Sequence, residues 1–209
     1  MSGVQLVVVM LSAVGGLAAG WGARQLLARL RRGVTLAPGP LELGTAAVVA
    51  SSVAIGWARP TLALILLAGW LLVLLTPVDL VHHRLPDAVT LPALPVAAVT
   101  VAVTYLLSHP SGSVNRAVLV AAVLWALFAA TARIRPAAMG RGDVKLIPTI
   151  GLLTGYVSLG AAVVALALAC VLGALASIVG MLAGRLELKS SIAFGPFLLV
   201  GGWAALLIA

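Results

Sequence analysis

GRGDVKLIPTIG, residues 140–151, sets Asp143 and Lys145 at the mouth of an apolar run that continues toward residue 183. Charge is costly in apolar surroundings, so ionisable groups kept there point to a function. The chain around them is nearly charge-free: of 209 residues, 63% are hydrophobic and 9% charged, and the mean hydropathy is +1.21. A soluble domain of this length could not hide that much apolar surface, so the solvent for most of it is lipid. There every backbone N–H and C=O must be paired internally, which leaves helices or a closed barrel. Apolar runs of about 15–22 residues without two-residue alternation select helices. The expectation is an all-α polytopic membrane protein of about eight transmembrane helices with both termini non-cytoplasmic.

Working outward, the spans fall near 3–23, 43–58, 61–79, 88–107, 115–132, 144–157, 159–183 and 192–208. The second and sixth are short for a bilayer, and are expected to be tilted or to sit behind other helices lining a wet cavity. The first is no cleavable leader: MSGVQ carries no Lys or Arg, whereas Arg24, Arg29, Arg31 and Arg32 follow the span. Placing that cluster in the cytoplasm puts Arg84, Arg133, Arg135, Arg141, Lys145, Arg185 and Lys189 there too, and leaves only Arg59 and Arg116 outside. The high pI, about 11.4, then reflects membrane orientation, and nucleic acid drops out as a partner. Cys170, alone in the chain, excludes an internal disulfide and a cysteine zinc site, and reads as a small buried residue between helices.

Five acidic residues exist, Glu42, Asp79, Asp87, Asp143 and Glu187, and all map to the cytoplasmic boundary. TPVDLVHHRLPDAVTLP, residues 76–92, carries two of them. Asp79 closes the third span, where the helix macrodipole disfavours a negative charge. Capping does not explain it; an ion pair with Arg84, Arg141 or Lys145 is the structural alternative. Asp87 follows Leu85-Pro86, which interrupts any helix, and it suits the N-cap of the span beginning at Ala88. Asp143 could likewise cap a helix starting at Val144. Gly140 and Gly142 offer bare backbone that another helix or an extended peptide can approach. Lys145 could hold Asp143 ionised or reach the headgroups. His82 and His83 read as solvated, and Pro77 is expected to bend the third span and open its end to water. If Asp79 and Asp143 meet, they cannot both ionise easily and share a proton, so one can take a proton from water while the other gives one to a carbonyl oxygen. That chemistry needs no metal and no cofactor.

Asp79, Pro86-Asp87 and Gly140-Arg141-Gly142-Asp143-Val144-Lys145-Leu146, in this order, closely resemble the type IV prepilin peptidases, which are GxGD-type intramembrane aspartyl proteases. Thr90-Leu91-Pro92, Leu152 with Gly155-Tyr156, and Phe194-Gly195-Pro196-Phe197 are similar to the same family. The resemblance covers about residues 61–205. It implies a six-helix peptidase core over 61–209, preceded at 1–60 by two transmembrane helices joined by a short basic cytoplasmic loop. It implies Asp79 and Asp143 as the catalytic pair, with Asp87, Pro86, Gly140, Gly142 and Lys145 supporting them or touching substrate. The substrates implied are pilin or pseudopilin precursors with a short basic leader and an apolar helix, cut at the cytoplasmic face of the inner membrane, with membrane lipids as the other partner. Full-length members also carry, after the first span, a zinc-binding domain with paired CxxC motifs and methylate the new N-terminus. Residues 24–42 hold no cysteine, so the resemblance is to the short, peptidase-only form. The competing readings are a proton- or cation-coupled transporter using Asp79 and Asp143, and another GxGD-type intramembrane protease.

Overall fold

In the computed structural model the described residues, 2–30, 34–108, 112–135, 139–184 and 193–209, form eight helices and no strand. They are α1 (Gly3–Arg29), α2 (Pro40–Gly56), α3 (Leu62–His82), α4 (Asp87–Leu107), α5 (Val114–Ile134), α6 (Arg141–Val157), α7 (Leu159–Leu182) and α8 (Gly195–Ile208). The expected roles of Arg31, Arg32, Arg185, Glu187 and Lys189 lie outside the described residues.

The helix number matches the sequence reading, but the number of full crossings does not. Among the described residues, only α1, α3, α4, α5 and α7 are long and apolar enough to cross a membrane. Helices α2 and α6 have 17 residues and α8 has 14. At 1.5 Å per residue these reach only about 21–26 Å, short of a hydrocarbon core of roughly 30 Å. For α6 the physical reason is enclosure. α6 is buried without a break from Leu146 to Tyr156, with α3, α4, α5, α7 and α8 packed around it. A helix surrounded by protein has no need to match the lipid thickness.

Close crossings hold the bundle together without a hydrophobic driving force between helices, as lipid requires. Gly16 and Gly20, four apart on α1, face α2 so tightly that a methyl group would fall 2.7 Å from the Ala46 Cα and 2.6 Å from the Glu42 Cα. Gly151 and Gly155 do the same for α6 on α5, against Ala121 and Val120. Small residues spaced by four are the sequence signal for such contacts. Helix α2 is joined to the interior at the other end of the chain, where the Trp203 indole N–H donates to Ser52 Oγ at 3.0 Å.

The two arginines assigned to the outer side have specific work. Arg116, in the first turn of α5, donates to the carbonyls of Gly155, Tyr156 and Val157 at 2.8, 2.7 and 2.8 Å, and so closes the C-terminus of α6. Arg59 donates to the Leu207 carbonyl at 2.7 Å and closes α8. Terminal carbonyls have no intrahelical partner and carry the negative end of the macrodipole, so a guanidinium satisfies both needs. Cys170 departs from expectation: it lies exposed on α7 rather than buried between helices.

Candidate active site

Three helix ends build the site. The first is the C-terminal turn of α3. Its leucine-rich face is buried up to Val78, and the same burial carries in Asp79, which is 4% exposed. The helix runs one turn past Asp79 to His82, and His83 closes it in the left-handed region, φ 49°, by donating its N–H to the Asp79 carbonyl at 2.8 Å. Arg84, Leu85 and Pro86 then turn the chain into α4.

The second end is the first turn of α6. The helix begins at Arg141, with Gly140 as its N-cap, so Asp143 is not the cap but the third helical residue. From there its carboxylate accepts from the backbone N–H of Gly140, the reciprocal half of a capping box. An acid in this turn is favoured by the unpaired amides of the helix start, and Asp143 is held 6% exposed. Of the two flanking glycines, Gly140 is exposed, and a methyl there would meet only the carboxyl of Asp143, at 2.7 Å. Gly142 is not open to an incoming peptide: Leu85 fills the space, and a methyl would fall 2.9 Å from the Leu85 Cβ. Gly142 therefore serves the packing of the α3–α4 turn on α6.

The third end is the start of α8, which the sequence reading did not place in the site. The Gly195 backbone N–H is a hydrogen-bond donor to the Asp79 carboxylate. A methyl on Gly195 would fall 2.6 Å from Asp79 Oδ2 and 3.3 Å from Asp143 Oδ1. Both carboxyl groups thus surround one backbone atom, and their oxygens lie within about 6 Å of each other, the range in which like charges oppose one another's ionisation. Residues 64 apart in sequence are brought together here, and only glycine fits between them. The signal for Gly195 was present in Phe194-Gly195-Pro196-Phe197, but its contact with the aspartates depends on the packing of α8 against α3 and α6.

Asp87 and Lys145 depart from their expected roles. Asp87 is the first residue of α4, behind an N-cap formed by the buried Pro86. Its Oδ1 lies 2.6 Å from Lys145 Nζ, with the side chains 60% and 39% exposed. Lys145 therefore neither neutralises Asp143 nor supplies the ion pair considered for Asp79; it ties α6 to α4 beside the carboxyl pair. Pairs this exposed contribute only about 0–1 kcal/mol to stability. The remaining described acid, Glu42, pairs with Arg24 at 2.6 Å and accepts from the Gly39 N–H at 2.9 Å. His82 and His83 are exposed but not simply solvated: His82 has an interaction of its own, and His83 lies close enough to act electrostatically on Asp79. Among the described residues no three of His, Cys, Asp and Glu come together as a set of metal ligands.

A lipid-embedded helical bundle that buries two carboxyl groups at a meeting point of helix ends defines a multi-pass membrane protein with an aspartate-pair site. The profile of the type IV leader peptidase family matches residues 65–178, a segment that includes both aspartates, and the chain belongs to that family. It is 36% identical over 164 residues to the prepilin leader peptidase/N-methyltransferase of Aeromonas hydrophila, a match covering 76% of this chain and 53% of that protein. The protein of the same name from Aeromonas salmonicida (strain A449) is 36% identical over 165 residues, covering 77% and 53%. The chain thus spans about half the length of the curated relatives it matches. No solved structure matches it significantly.

Proposed function

We propose that the chain is a membrane-embedded aspartyl endopeptidase that removes the short basic leader from prepilin-like precursors at the cytoplasmic face of the inner membrane. The observation that carries this reading is the convergence of Asp79 and Asp143 on Gly195, inside a segment matched by the leader peptidase family. One carboxylate takes a proton from a water. The water oxygen attacks the scissile carbonyl carbon while the other carboxyl donates its proton to the carbonyl oxygen. The tetrahedral intermediate collapses, the C–N bond breaks, and the amine leaves with a proton returned through the pair. The position of the pair at the ends of α3 and α6 suits a bond just outside the apolar helix of a precursor. Asp87 and Glu42 are already paired with Lys145 and Arg24, so attraction of a basic leader to this face falls to acidic lipid headgroups. Residues 30–39, which join α1 to α2, hold no cysteine, and N-methylation is not part of the proposed activity.

Incubation of the purified chain with a precursor carrying a basic leader, read by mass spectrometry, tests the proposal. The expected product is a single cut between leader and apolar helix. Intact precursor, together with proton or cation flux in proteoliposomes, would instead support the transporter reading.

A further inference from the structure

Buried hydroxyls in this bundle usually return their proton to their own helix. Thr45, Ser52, Thr90 and Thr154 donate to the carbonyls of Leu41, Val48, Pro86 and Ile150. Thr76 and Thr149 do not. Their hydroxyl oxygens are shielded from solvent and have no hydrogen-bond partner among the described residues. An unpaired buried hydroxyl costs about 1–3 kcal/mol, and two such costs would be removed by valine, a residue of the same shape.

Their positions are related. Thr76 precedes Pro77 on α3, one turn from Asp79; Thr149 follows Pro148 on α6, less than two turns from Asp143. Each aspartate-bearing helix therefore carries a helix-internal proline beside an unpaired hydroxyl. A proline has no N–H, so Pro77 and Pro148 also deprive the carbonyls of Val73 and Val144 of their helical donor. One hydroxyl donor and one carbonyl acceptor are thus left on each of the two helices that hold the carboxyl pair. A buried water requires about two to four polar partners. Thr149 is 0% exposed, which excludes a peptide strand as its partner.

We propose that Thr76 and Thr149, with the carbonyls freed by Pro77 and Pro148, hold water on the bundle side of the aspartate pair and supply it for hydrolysis. The inference rests on the peptidase reading for its kinetic consequence, but not for the water itself. The two threonines are positioning residues that act through that water.

The test uses Thr76→Val and Thr149→Val, with Thr76→Ser and Thr149→Ser as conservative partners, in the full chain. Thermal midpoints of the valine variants stay level or fall slightly, because each lost hydroxyl takes its hydrogen bond to water with it, whereas a clear rise would mean that the hydroxyls had no water partner. Their kcat for leader cleavage falls by about tenfold with KM unchanged, and serine restores it. Radiolytic hydroxyl labelling, which marks side chains next to bound water, gives signal at Val73, Pro77 and Pro148 in the parent chain and loses it in the double valine variant. Full kcat in the valine variants, or no labelling at these positions in the parent chain, overturns the proposal. If the parent chain labels as expected but cleaves no precursor, the water site stands and the peptidase reading fails.

Discussion

At the residue scale, the site depends on three side chains, one of which is absent by design. Asp79→Asn and Asp143→Asn are each expected to abolish cleavage while leaving the protein folded in the membrane, because each removes one half of the proton exchange. Substantial turnover in either variant would eliminate the paired mechanism. Gly195→Ala forces a methyl to within 2.6 Å of Asp79 Oδ2, and displacement of that carboxyl should lower kcat by about a hundredfold, checked with the same cleavage assay. Asp87→Asn should keep partial activity, since its pair with Lys145 is exposed and lies beside the carboxyls rather than between them. Asp79 and Asp143 were legible as a pair because acids are so rare in the chain. Gly195 was not, because a glycine gives no sign in sequence of what lies against its missing side chain. The Asp87–Lys145 pair was equally hidden: it links residues 58 apart, and local capping rules pointed Asp87 toward its own helix instead.

At the element scale, the helices were legible from composition and their ends were not. The sixth was expected to begin at 144 and begins at Arg141, because the N–H of Gly140 and the carboxylate of Asp143 stabilise an extra turn of mostly polar residues. The third was expected to stop at its acid and continues to His82, since a buried aspartate can stay inside a helix where a solvated one would favour its end. The shortness of the second and sixth helices was legible in the sequence, whereas the eighth read as a full crossing because hydropathy registers apolar length and cannot distinguish lipid from protein as the surrounding medium. Arg116 is the element-scale feature most open to test. Arg116→Ala leaves three terminal carbonyls of α6 without their guanidinium and should destabilise the bundle by about 2 kcal/mol. A lowered thermal midpoint in detergent, with kcat intact at low temperature, is the expected result, because the affected end of α6 is opposite Asp143.

For the whole molecule, we propose from the basic bias of the loops that the carboxyl end of the bundle faces the cytoplasm. A cysteine introduced at Arg84 should react with an impermeant thiol reagent only from the cytoplasmic side, and one at Asn115 only from the other; the opposite pattern would invert the proposed orientation. The division of the chain after residue 60 is likewise a proposal, and contacts across it shape the outcome. Trp203 reaches back to Ser52 and Arg59 to Leu207, whereas α1 touches the bundle mainly through α2. Removal of residues 1–38 should therefore leave cleavage within about threefold of the parent chain, while removal of 1–60 should lower the thermal midpoint sharply.

The guanidinium clasps of Arg59 and Arg116 have a further consequence. Arg59 is synthesised 148 residues before the carbonyl it closes, and Arg116 about forty before those at the end of α6. Each guanidinium must wait until its helix arrives, so assembly of the bundle is expected to finish only when α8 docks and the last terminal carbonyls find their donor.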